Sequence, residues 1–210
     1  MRGDRQWAVE DVATGKVLTA RREPRLLFGS ARLSPTGELD ARLPDGSSAD
    51  SASLTDWLGH KVRLVSAAAG VHATYETPID FEDEQAHPWF PWDGPDGVFH
   101  DSTRTRFSLV SRNTIGAWDV RRFRANVVVD VGPEDELVGH TIRIGSVTAD
   151  IVKQVDRCVM TTRPQPNLDR DLDVLRSINH DQRRATRVPR PHVARFQCAA
   201  AAFESRPGCS

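Results

Sequence analysis

The 210-residue chain has little of several things, and each shortage closes off a class of protein. Lysine occurs only as Lys16, Lys61 and Lys153, and arginine carries the remaining basic charge. The formal net charge is −1, so the basic excess that marks a general nucleic-acid binder is missing. The arginine bias is read as the coding habit of a GC-rich genome, not as an RNA-binding surface. Cysteine occurs three times, at Cys158, Cys198 and Cys209. An odd count without Cys-x-x-Cys or clustered Cys and His describes neither a disulfide framework nor a zinc site. No apolar run reaches the length needed to cross a bilayer, and Met1 is followed by charged residues, not a signal-like stretch. A cytoplasmic protein with no membrane partner is expected. Gly-x-Ser-x-Gly and P-loop words are missing, and the histidines stand in no hydrolase-like order, so acyl transfer and nucleotide hydrolysis are unsupported.

What is present is ordinary for a globular protein: 39% hydrophobic and 27% charged residues, enough for one large β-domain or two small ones. Trp7–Asp11 and Lys16–Ala20 flank Ala13-Thr14-Gly15 and predict a hairpin. A second strand pair brackets Ser34-Pro35-Thr36-Gly37, and Pro44-Asp45-Gly46 closes it. Ser53–Leu58, stopped by Gly59, predicts a short capped helix leading into a strand over Lys61–Val65. From about Gly70 to Asp101, proline, tryptophan and acidic residues cluster with no period of 2 or 3.6. That stretch is read as a linker or lid, whose Trp89, Phe90 and Trp92 either anchor it or touch a substrate.

Downstream, Phe107–Ser111 and Val127–Val131 read as strands, with a short helical piece over Asn113–Trp118 between them. An acidic loop, Pro133–Glu136, precedes a hairpin of Thr141–Ile144 and Val147–Val155, and Asp171–Asn179 predicts a helix. Residues 181–210 are rich in Arg, Ala and Pro without strand alternation, so a divergent, disordered tail with an unpaired sheet edge left behind is expected.

Two words carry chemistry. The first is Arg121-Arg122-Phe123-Arg124-Ala125-Asn126 at the entrance to the Val127 strand. Guanidinium forks and an amide there suit a planar, anionic ligand. The alternative is a salt-bridged rim in which the arginines pair with Asp119 and Asp130. The second word is Arg157-Cys158-Val159-Met160-Thr161-Thr162, just past the Val147 strand. Arg157 beside the thiol, and two threonines after it, predict an exposed polar setting that favours the thiolate as nucleophile, sulfur carrier or metal ligand. The alternative is a small buried hydrophobe.

Together these words resemble the MOSC domain family, the molybdenum cofactor sulfurase C-terminal-like domains. The stretch Gly3–Leu27, "GDRQWAVEDVATGKVLTARREPRLL", is similar to the N-terminal β-barrel domain that precedes MOSC in the mitochondrial amidoxime-reducing component and its bacterial relatives. The resemblance runs from about Gly3 to Asn179. It implies a mainly β protein: an N-terminal β-barrel-like part packed on a MOSC β-barrel with a few short helices, incomplete at both ends. The parts expected are a partial N-terminal domain over 1–70, a linker or lid over 71–101, an incomplete MOSC domain over 102–180 and the tail over 181–210.

The resemblance further implies molybdenum cofactor (molybdopterin) binding. Cys158 is then the molybdenum ligand and catalytic residue, with Arg5, Ser111, Arg124, Asn126 and Arg157 on the pterin and its phosphate. Ala125 stands where the family has proline, and Arg112-Asn113 depart from its usual acidic-alanine pair. The implied activity is reduction of an N-oxygenated small molecule, with electrons from a separate flavin or iron–sulfur protein. The family also carries an association with pyridoxal phosphate. Two rivals stand beside that reading: a sulfur or cofactor carrier using a Cys158 persulfide, and a truncated, non-catalytic remnant.

Overall fold

The computed structural model describes residues 5–67, 71–79, 84, 86–100, 102, 105, 107–132, 134–155, 157–178 and, for the backbone alone, 199–202. The chain is mainly β and divides into two compact units, Met1–Thr103 and Arg104–Ser210.

In the first unit, β1 (Trp7–Asp11) turns into β2 (Lys16–Val17), with Gly15 at φ 68°. Only glycine takes that left-handed turn position without strain. On its other side β1 pairs antiparallel with β5 (Val62–Ser66). Between them lie the hairpin of β3 (Ser30–Leu33) and β4 (Leu39–Arg42), then helix α1 (Ser51–Leu58). The helix starts two residues before the predicted Ser53, because Asp50 and Ser53 form a reciprocal capping box; Gly59 at φ 71° stops it. Leu54 and Leu58 of α1 bury against Ala49 and Val62.

Residues 71–100 correct the expectation of a linker or lid. Here β6 (Thr74–Pro78) and β7 (Trp89–Asp93) pair antiparallel over five residues, and they belong to the first compact unit. Prolines at 78, 88 and 91 hid the strands, yet a two-stranded ribbon has an outer edge on both sides, where a missing N–H is tolerated. Two of its aromatics are anchors. Trp92 stacks on Tyr75 at 4.8 Å, and Trp89 lies under the Arg22 guanidinium at 4.7 Å while donating its Nε1–H to the Glu84 carbonyl. Phe90 is 61% exposed.

Gly94 makes this packing possible. A Cβ there would stand 2.6 Å from Tyr75 Cε2 and 3.0 Å from the His100 carbonyl oxygen. Gly94→Ala is therefore expected to destabilise the unit by about 1–3 kcal/mol, the usual cost of overpacking. A thermal melt equal to the parent's would show that the ring moves aside freely.

The second unit is built on a five-stranded sheet in the order β10 (Thr141–Ile144), β11 (Val147–Gln154), β12 (Ala199–Ala202), β8 (Phe107–Ser111), β9 (Val127–Val129). Its pairings are antiparallel except β8–β9, which run parallel in the register Leu109 to Val127. Helix α2 (Arg112–Ile115) leaves the end of β8, and a last helix spans 173–178. Val110, Ile115, Phe123, Val174 and Ile178 form one core cluster; Leu109, Ala149 and Ile151 form another.

Strand β12 corrects the expected unpaired edge, since Ala199–Ala202 fills the place between β11 and β8. A ladder is made by backbone groups, and a run of four alanines carries no alternation for the sequence to show. The rest of the expected tail lies outside the described residues.

Candidate functional site

The site is assembled from two 3-10 turns of the second unit. The first, Val120–Phe123, is capped by Asp119, which accepts the Arg121 N–H; the Arg121 guanidinium clamps both oxygens of the same carboxylate. That side-chain pairing, helped by the backbone bond, holds the Asp119 carboxyl well below its usual range, at about 2. Arg122 points inward instead, 6% exposed, with Nη2 donating to the Asp169 carbonyl at 2.8 Å and Nη1 reaching the Thr161 carbonyl at 3.5 Å. Arg124 ends the turn in the left-handed region, φ 49° and ψ 29°, with its side chain exposed. A proline after it would disfavour that conformation, so Ala125 fits the turn this chain makes.

The second turn, Val159–Thr162, begins at Cys158, which is half-buried and a free thiol. The threonines do not create the polar, exposed setting expected of them. Thr161 and Thr162 are 3% and 1% exposed, and each hydroxyl bonds the carbonyl three residues back, on Cys158 and Val159. They close the turn that presents Cys158, a local bond that threonine makes readily.

Arg157 ties the turns together. Its Nη1 donates to the Phe123 carbonyl at 2.7 Å, and its guanidinium lies 5.3 Å over the Phe123 ring. Burial pushes this guanidinium down to about 10, against the opposing pull of the Glu134 and Cys158 charges; it stays cationic at neutral pH. A fixed cation thus stands beside the thiol, with Arg124 one residue beyond the carbonyl that Arg157 grips.

The other predicted residues are placed less centrally. Asn126 precedes β9 and pins it to β8: its N–H donates to the Ser108 carbonyl, and its Oδ1 accepts the Ser108 N–H at 2.9 Å. Ser111 lies at the far end of β8, three residues on, about 10 Å at strand spacing. It is fully buried, and its hydroxyl accepts the Asn113 N–H as the cap of α2. Arg5 belongs to the first unit, at φ 59°, with its carbonyl accepting the Phe99 N–H. The structure therefore brings Arg157, Cys158 and the Arg124 turn together, and places Asn126 and Ser111 at opposite ends of one strand.

Two residues of the neighbourhood escaped the sequence reading. Arg122 was one cation of three, and only burial separates it from its neighbours. Glu134 was read as part of an acidic loop, yet it is 2% exposed, on the 3-10 turn Glu134–Leu137. A small pocket of about 190 Å³ borders the Cys158 turn, lined by Val159, Thr162, Leu172, Leu175 and Arg176.

The donor set suits a cofactor that brings most of its own ligands. Among the described residues no three His, Cys, Asp or Glu side chains stand together as a metal site. A metal at Cys158 would take one soft sulfur ligand from this chain and the rest from its carrier. An anionic carrier matches the cationic surroundings of the thiol. On that test Cys158, Arg157 and Arg124 fit molybdopterin, while Ser111 is engaged in capping and Asn126 has its carbonyl oxygen committed to Ser108.

No helix among the described residues is long and apolar enough to cross a membrane. No curated protein matches the chain. Residues 1–90 match the family model of the MOSC N-terminal β-barrel domain, and residues 100–195 match that of the MOSC domain. Those two stretches contain the Arg5 segment and the two words around Arg124 and Cys158 respectively. The chain accordingly carries a MOSC N-terminal domain followed by a MOSC domain, a family associated with binding the molybdenum cofactor.

Proposed function

We propose that the chain binds molybdenum cofactor and reduces N-oxygenated small molecules with electrons from a separate flavin or iron–sulfur protein. The observation that carries the reading is the half-buried Cys158 thiol beside the Arg157 guanidinium, on a turn held to the Arg124 turn. When bound, the cofactor supplies a metal centre able to exchange two electrons and take up oxygen. Reduction of an N-hydroxyl compound then consumes two electrons and two protons and releases the amine-level product and water.

The chain's own residues do the rest. Cys158 offers sulfur to the metal, Arg157 supplies fixed positive charge beside it, and Arg124 offers in-plane donors to the cofactor's anionic group. The Thr161 and Thr162 hydroxyl bonds keep the Cys158 turn in one shape, which preorganises the ligand. Asn126 contributes by fixing β9 beneath the Arg124 turn.

Arg124→Ala is expected to lower cofactor affinity by about one to two orders of magnitude, since a charge-assisted bond is worth roughly 1.5–3 kcal/mol. The exposed side chain leaves the melt close to the parent's. Pterin content measured after equal washing is the check, and parent-level retention would remove Arg124 from the site. A persulfide carrier is the second reading, favoured by the same cation–thiol pairing. Molybdenum analysis separates them, because a carrier holds sulfane sulfur with no metal.

A further inference from the structure

The helix over 173–178 in the second unit carries apolar residues on two sides. Val174 and Ile178, four positions apart, are 0% and 8% exposed and belong to the core. Leu172, just ahead of the helix, stands with Leu175 and Arg176 at the i, i+3, i+4 spacing that gathers side chains on another side. The start of this segment is tied to the Cys158 turn, because the Asp171 N–H donates to the Thr162 carbonyl at 3.0 Å. The two segments do not close completely. Between them lies the pocket of about 190 Å³ lined by Val159, Thr162, Leu172, Leu175 and Arg176.

Three of those five side chains are aliphatic. Thr162 spends its hydroxyl proton on the Val159 carbonyl at 2.7 Å, so it offers a ligand no donor. Leu172 is 45% exposed, an apolar side chain left open to water at the pocket. A cavity of roughly 150 Å³ with aliphatic walls takes up one benzene molecule. The space here therefore suits a single six-membered ring. Arg176 supplies the lining charge. Its Nη1 reaches Asp173 at 3.2 Å, but both side chains are mostly exposed and such a surface pair is weak. Asp173 does not line the pocket, so the charge presented there is positive. Val159 directly follows Cys158, which sets the pocket one Cα step, about 3.8 Å, from the residue that carries the thiol.

We propose that this pocket seats the non-reacting end of the substrate: one aromatic or alicyclic ring bearing a carboxylate that faces Arg176. Leu172 and Leu175 then select for the ring, and Arg176 selects for its charge. The proposal rests on the reading of Cys158 as the thiol beside which the substrate reacts.

The test uses the full chain freed of cofactor, with Cys198→Ser and Cys209→Ser so that Cys158 is the single thiol. Its alkylation by iodoacetamide, a neutral reagent, is timed at neutral pH and low salt with benzoate, benzylamine or acetate added. Benzoate should slow the reaction saturably, with a half-point on the order of 1 mM, the affinity open to a one-ring fragment. Acetate at the same concentrations should have no effect, and benzylamine, a cation, should need at least about threefold more than benzoate. Leu172→Gln should raise the benzoate half-point at least about threefold, since one methylene of lost contact is worth about fourfold. Arg176→Gln should erase the difference between benzoate and benzylamine. Val159→Phe, which fills the pocket, should abolish the slowing, and this arm stands if Leu172→Gln does not fold. Alkylation unmoved by benzoate or slowed equally by acetate overturns the proposal. So does a half-point unchanged in Leu172→Gln, slowing kept in Val159→Phe, or a preference kept in Arg176→Gln. Cofactor takes no part in these rates, so their failure removes the role of the pocket alone. Parent-level turnover in Cys158→Ala would remove the functional reading and leave the benzoate result standing.

Discussion

Cys158→Ala is expected to reduce turnover of N-hydroxylated compounds by at least about 100-fold, since even an outer partner of a metal costs 10–100-fold when lost. The fold should change little. Cys158 is half-buried, its side chain makes no capping bond, and the turn that follows is closed by the Thr161 and Thr162 hydroxyls. A stability change within about 1 kcal/mol is expected for removing one half-buried sulfur. Three measurements on one preparation decide the matter: turnover with a chemical reductant, bound molybdenum, and the melting temperature. Loss of metal and turnover at an unchanged melt is the result expected. Turnover equal to the parent's would show that the thiol is no ligand. If no preparation binds metal while the parent holds sulfane sulfur that the variant lacks, the carrier reading replaces the reductase reading.

Arg122→Ala is expected to destabilise the second unit by about 2–3 kcal/mol, which for a unit of this size lowers its melt by roughly 10–20 °C. Arg122 is 6% exposed and its guanidinium reaches two carbonyls, those of Asp169 and Thr161. Truncation strands both acceptors in a buried place and removes the packed stem. The Thr161 carbonyl belongs to the Cys158 turn, so loosened presentation of the thiol should accompany the lower melt. Arg121→Ala is the control. Its exposed guanidinium pairs with Asp119 and donates to the Pro166 carbonyl at 3.0 Å, and such surface contacts contribute only about 0–1 kcal/mol. Equal melts for the two variants would show that burial of Arg122 carries no special weight.

The contrast among Arg121, Arg122 and Arg124 shows where sequence reading stops. All three are the same residue within four positions, in a word read as guanidinium forks at a strand entrance. Their division into a capping partner, a buried brace and an exposed guanidinium depends on Asp119, Asp169 and a left-handed φ. Only the first of those is close in sequence. The threonine pair failed for a similar reason: hydroxyl-bearing residues look solvent-facing in a string, but a tight turn lets them bond their own backbone and go inside. The proline-rich ribbon of β6 and β7 was missed because its pairing joins Thr74 to Asp93, with signals of irregularity between.

The sequence by itself determined the local structure and the kinship. Glycines at 15, 37, 46 and 59 set turns, Asp50 and Ser53 set a cap, and the words around Arg124 and Cys158 named the family before any coordinates. These features depend on residues within about four positions of each other, whose backbone preferences act alone. Tertiary structure decided which charges are buried and what they face. Arg122 meets a carbonyl 47 positions away, Arg157 one 34 positions away, and Glu134 a hydroxyl 20 positions away. Burial converts such pairs from solvated charges into fixed ones, because low-dielectric surroundings strengthen each interaction and penalise each unpaired group. That step is taken only when distant segments close over them.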